Sequence, residues 1–153
     1  MESTIEGNRS FRFNDNFKEW IVFGICLICT FLFLFSAYEK IIDHSRFAKG
    51  LSKVSIISSY ANLIAWAIPI LEILISLLLI IPKTHRWGLY GFAGLMTLFT
   101  AYILSMLLWK EKLPCHCNLI IEKLSWEQHL WFNLVFIGLS IAAVKLSKPI
   151  TKI

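Results

Sequence analysis

Charge is what this sequence has little of. Asp, Glu, Lys and Arg make up 16% of its 153 residues, while 57% are hydrophobic. Soluble domains run at about 25% charged and about 45–50% apolar, so this excess of apolar residues needs a bilayer. Internal repeats, low-complexity tracts and Gly/Ser linkers are missing as well, and the chain reads as one domain over 1–153. No basic stripe interleaved with aromatics lies outside the hydrophobic runs, which argues against a nucleic-acid surface. The formal net charge of +5 is better placed in loops beside lipid. No cleavable leader is expected either. Residues 1–18 are polar, carry Glu2, Glu6 and Asp15, and show no small-residue cleavage pattern behind an apolar core. The first apolar run is therefore expected to remain as a helix.

What the chain does have is four long apolar runs. A helix needs about 20 such residues to cross a bilayer. The runs are 20–37, without charge; 61–81, whose one charge is Glu72; 87–109; and 126–144, which opens on a polar turn. Trp20, Trp87, Trp109 and Trp126 fall at the ends, as an interfacial aromatic belt requires. A soluble bundle would show polar faces at helical period, and these runs do not. The fold predicted is all-α, an antiparallel bundle of four transmembrane helices.

Four crossings put both termini on one side and the segments 40–60 and 110–125 on the other. Basic residues do not choose between the sides. Arg9, Arg12, Lys18, Lys83, Arg86, Lys145, Lys148 and Lys152 stand against Lys40, Arg46, Lys49, Lys53, Lys110, Lys112 and Lys123.

Each run carries small or polar residues at a spacing of three to four. They are Cys26, Cys29, Phe33, Ser36 and Lys40; then Asn62, Ala65, Pro69, Glu72 and Ser76; then Gly94, Thr97, Ala101 and Ser105; then His129, Asn133 and Ser140. Small residues let membrane helices approach and polar ones bond across, so these stripes are expected to face one another. Glu72 stands apart, because an acidic residue at mid-span costs on the order of 3 kcal/mol on insertion scales. It must face the interior. Two readings stay open: a helix-to-helix hydrogen bond, for example with Asn133, or a proton acceptor or polar anchor beside a ligand. Pro69 frees a backbone carbonyl one turn before it. His129, at a helix start, reads first as an interfacial structural histidine.

Between the third and fourth runs lies "PCHC". Cys115 and Cys117, one residue apart, can close a very small disulfide ring that departs from relaxed geometry. Strained, exposed disulfides tend to be the labile or catalytic ones. A charged His116 would lower the pKa of a neighbouring thiolate, and Pro114 stiffens the entry. Disulfide exchange is the favoured reading. Inert loop thiols are one alternative. Metal binding with His116, His129 or His44 is another, weaker because zinc sites space their cysteines more widely and need a second ligand pair. Cys26 and Cys29 form a C-x-x-C on one helix face. A second dithiol there would suit an electron relay, although buried cysteines commonly serve as small apolar packing residues.

Taken in order, "SAYEK" with Lys40, "PILEI" with Glu72, "CHCN" with Cys115 and Cys117, and "SWEQHLWFN" with Trp126 and Asn133 resemble the methylamine utilisation MauE family. This family lies within the wider DoxX-like group of four-helix membrane proteins. The resemblance spans about 20–144. It implies a membrane protein that forms or maintains disulfides in exported proteins, notably the small subunit of methylamine dehydrogenase, with a thioredoxin-like or other cysteine-containing exported partner. In the family an aromatic and a glycine more often follow the paired cysteines, where this chain has Asn118 and Leu119. The resemblance does not extend to Cys26 and Cys29.

The expectation is therefore a multi-pass protein of a bacterial inner membrane. Its termini would lie in the cytoplasm and its Cys115–Cys117 loop in the periplasm. Those two cysteines would act as the redox pair with His116 tuning them, and Lys40, Glu72 and Asn133 would shape the polar interior. No metal is expected. A quinone is one candidate electron acceptor, but no quinone pocket is recognisable from these residues. The competing expectation is a non-catalytic membrane subunit that stabilises a partner. A transporter is disfavoured because four helices leave little room for alternating access.

Overall fold

The computed structural model describes residues 6–108 and 126–147. Among these residues the chain is helical and no strand occurs. Five α-helices follow in order: α1 (Glu6–Ile42), α2 (His44–Ser52), α3 (Ala61–Ile80), α4 (His85–Leu108) and α5 (Trp126–Leu146), with one 3-10 turn at Ser58–Tyr60 before α3. Four stretches in these helices are long and apolar enough to cross a membrane: Asn16–Ile42, Ser58–Ile80, His85–Ser105 and Glu127–Leu146. The molecule is an all-α polytopic membrane protein. A helix satisfies its own backbone, the condition a bilayer imposes.

The spans form a ring in which α1 packs on α3, α3 on α4, α4 on α5, and α5 returns to α1. In this ring α3 and α5 stand across a diagonal, with no Cα atoms of the two helices within 8 Å of each other. The centre is apolar over most of its length. Phe33 of α1 and Phe92 of α4 meet there with ring centroids 4.3 Å apart, a pair contributing about 0.5–1.5 kcal/mol beyond its burial. Cys26, Cys29, Leu89, Met96 and Ala143 pack around them.

The turn between α3 and α4 is short and tightly bonded. The Thr84 hydroxyl donates to the Leu78 carbonyl at 3.0 Å and the His85 N–H to that of Ile81 at 2.9 Å, which satisfies acceptors left over at the end of α3. Gly88 sits where α4 passes close to α3. A Cβ there would lie 2.8 Å from the Leu79 backbone nitrogen.

The segment 40–60, read from sequence only as a connection, contains α2. Its Phe47, Ala48 and Leu51 recur at helical spacing and pack on Ala61 and Ala65 at the start of α3. The Tyr102 hydroxyl of α4 donates to the Gly50 carbonyl at 3.4 Å, tying the far end of α2 to the bundle.

Two expectations about inward faces are overturned. Asn62 is exposed, while Ala65, Pro69, Glu72 and Ser76 of the same stripe are buried. In α4 the whole stripe Gly94, Thr97, Ala101 and Ser105 is turned outward or half out, and Leu89, Phe92, Leu95, Met96 and Ile103 point in. The reason is local. Thr97 donates to the Ala93 carbonyl and Ser105 to that of Tyr102, each at 2.7 Å, so their hydroxyls need no partner helix and can face lipid. The inner face is left to the larger apolar side chains that fill the ring.

Candidate functional site

The polar interior is organised by Glu72. One turn after the buried Pro69, it is brought inward on the buried face of α3, fully out of solvent. Its Oε1 accepts from Lys40 Nζ at 2.9 Å and from Ser36 Oγ at 2.9 Å, both on α1. Lys40 Nζ also donates to Ser36 Oγ. Ser36 and Lys40 reach the same carboxylate because four residues separate them on one helix face. The long Lys40 side chain is 13% exposed, and its ammonium lies 5.0 Å from the Phe99 ring centroid and 5.7 Å from that of Phe47. Two charges in a low-dielectric interior are tolerable because each compensates the other and aromatic faces receive the cation. Lys40, counted from sequence with the loop charges, belongs to the bundle interior.

The hydrogen bond expected between Glu72 and Asn133 is not formed. Asn133 is buried, but among the described residues its Nδ2 has no hydrogen-bond partner, and neither has Oε2 of Glu72. The cause is the ring order, since α3 and α5 face each other across the diagonal rather than side by side. Both residues are nevertheless buried. His129, one turn before Asn133, is half-buried near the start of α5.

Cys26 and Cys29 are free thiols, 3% and 0% exposed, within the apolar cluster around Phe33. There they act as small packing groups. Cys115, His116 and Cys117 lie outside the described residues. Among the described residues no three His, Cys, Asp or Glu side chains gather as metal ligands. His44 packs against Trp66 in a tilted arrangement with centroids 4.5 Å apart.

Sequence reasoning placed Ser36, Lys40 and Glu72 on inward faces but missed that they form one hydrogen-bonded triad. The i, i+4 spacing of Ser36 and Lys40 was the available signal. Phe47 and Phe99 carried no such signal, because an aromatic residue beside a lysine is recognised only once the helices are packed.

The fold and this interior define a multi-pass helical membrane protein with a buried ion pair. Over residues 18–146 the chain matches the family described as methylamine utilisation protein MauE. It belongs to that family. No curated protein and no solved structure matches it.

Proposed function

We propose that the protein carries out thiol–disulfide chemistry on exported proteins, with Cys115 and Cys117 as the redox pair and His116 favouring the thiolate. The observation that carries this reading is the C-H-C spacing in the segment joining α4 to α5. Family membership supports it, together with a setting in methylamine utilisation. The pair exchanges with a partner dithiol through a mixed disulfide, in which a thiolate attacks one sulfur and the other leaves. The partner is an exported thioredoxin-like or other cysteine-containing protein. Disulfides persist outside the cytosol, so the loop faces the periplasm of a bacterial inner membrane and both termini lie in the cytoplasm.

Trapping the intermediate tests this. With one loop cysteine removed, the other cannot be released by its neighbour. Either Cys115→Ser or Cys117→Ser should therefore accumulate a mixed disulfide with the partner, visible on non-reducing gels after acid quenching and alkylation. The double variant should show none. A band that persists in the double variant would place the exchange on other cysteines. Absence of any band in all three would favour a non-catalytic membrane subunit.

A further inference from the structure

The interior between α3 and α5 holds two buried polar groups with opposite needs. Oε2 of Glu72, on a residue 0% exposed, has lone pairs and no donor among the described residues. Nδ2 of Asn133, on a residue 3% exposed, has protons and no acceptor among the described residues. Leaving such groups unpaired is costly in an interior of low dielectric. A ligand that satisfies both must offer an acceptor and a donor. It must also be uncharged, because Lys40 already neutralises Glu72 at 2.9 Å and no net charge remains to hold an anion or a metal ion. Because the residues are sealed from water within apolar spans, the ligand reaches them from the bilayer. Aromatic side chains stand close by: Phe47 and Phe99 lie beside Lys40, and Phe136, one turn on from Asn133, packs toward Phe92. Flat rings favour a flat ligand.

We infer that this interior binds the headgroup of a membrane quinone, with Asn133 donating to a ring oxygen and Glu72 accepting from the hydroxyl of the hydroquinone form. The inference rests on the redox reading for its purpose. Two thiols and one quinone become one disulfide and one hydroquinone. The sulfur pair gives up two electrons to the ring, and the two thiol protons are balanced by the two taken up on its oxygens.

The test is equilibrium binding of a short-chain ubiquinone analogue and of menadione, each oxidised and reduced, to the purified full chain in nanodiscs, read by tryptophan quenching. The wild type should bind. Asn133→Leu should weaken binding roughly three- to tenfold, the range one lost hydrogen bond gives. Glu72→Gln should weaken the reduced form by a similar factor, because the hydroxyl loses its anionic acceptor. Circular dichroism and unfolding without ligand check each variant, and Asn133→Ser replaces Asn133→Leu if the latter does not fold. The variant Cys115→Ser/Cys117→Ser should bind as the wild type does. Binding that is undiminished in both interior variants overturns the site. So does a wild type that still forms disulfides but binds neither quinone, which sinks the inference and leaves the redox reading standing. Binding lost in the interior variants of a protein without disulfide activity upholds the site and sinks the redox reading instead.

Discussion

Glu72 and Lys40 each carry a charge into the apolar bundle, and the 2.9 Å contact between them makes both tolerable. Breaking such a pair strands a charge, at a cost of about 3–5 kcal/mol. Lys40→Met should therefore lower thermal stability sharply in detergent, whereas the double variant Lys40→Met/Glu72→Leu, with no charge left, should recover most of the loss. A double variant no more stable than Lys40→Met would show that the pair is not coupled. Substitutions at Glu72 itself should separate in the same way. Glu72→Gln keeps an acceptor for Ser36 and Lys40 but leaves the Lys40 charge uncompensated, so it should fold with lowered thermal stability, while Glu72→Lys sets two ammonium groups side by side and should fail to accumulate in membranes. Equal yields of the two would mean that position 72 reaches water or headgroups. At this scale the sequence was informative where chemistry alone decides. An acidic residue amid apolar ones must turn inward, and Ser36 and Lys40 share a helix face. The partner of Asn133 was not legible, because it depends on which helices are neighbours around the ring.

Among the elements, the four spans were readable because crossing a bilayer requires only length and apolarity; α3, α4 and α5 begin and end close to the runs expected, whereas α1 (Glu6–Ile42) extends well beyond 20–37 at both ends. Which face of a span turns inward was harder to read. Small and polar residues mark an interface only when they need a partner helix, and in α4 Thr97 and Ser105 bond to their own backbone. Helix α2 was overlooked because one short apolar stripe, Phe47, Ala48 and Leu51, is a weak signal beside runs of twenty residues. Its close packing on α3 recurs at the next contact along the chain, where α4 leaves the turn. Gly88→Ala would press a methyl group against the Leu79 nitrogen at 2.8 Å and the Leu78 carbonyl carbon at 3.0 Å, backbone that cannot rotate aside. An overpacking cost of about 1–3 kcal/mol is expected. Gly91→Ala meets only the Ile75 side chain, at 3.1 Å, and should cost less. Parallel thermal melts compare the two, and equal midpoints would mean that the turn between α3 and α4 yields more readily than its bonding implies.

For the whole molecule, orientation follows from the chemistry assigned to the loop, because basic residues are nearly balanced between the two sides. In intact cells after gentle reduction, an impermeant maleimide should label Cys115 and Cys117. It should not label Cys26 or Cys29, buried in the apolar cluster, nor a cysteine placed at Lys152. The reverse pattern would turn the molecule over and remove the loop from the oxidising side. The most direct measurement of the central claim is disulfide formation in an exported thiol protein, followed by alkylation in cells that carry either the wild type or Cys115→Ser/Cys117→Ser. The double variant should insert as the wild type does, because the loop lies between spans, and the exported protein should then remain in its thiol form. Full disulfide formation in those cells would contradict the account and leave the bundle as a structural membrane subunit.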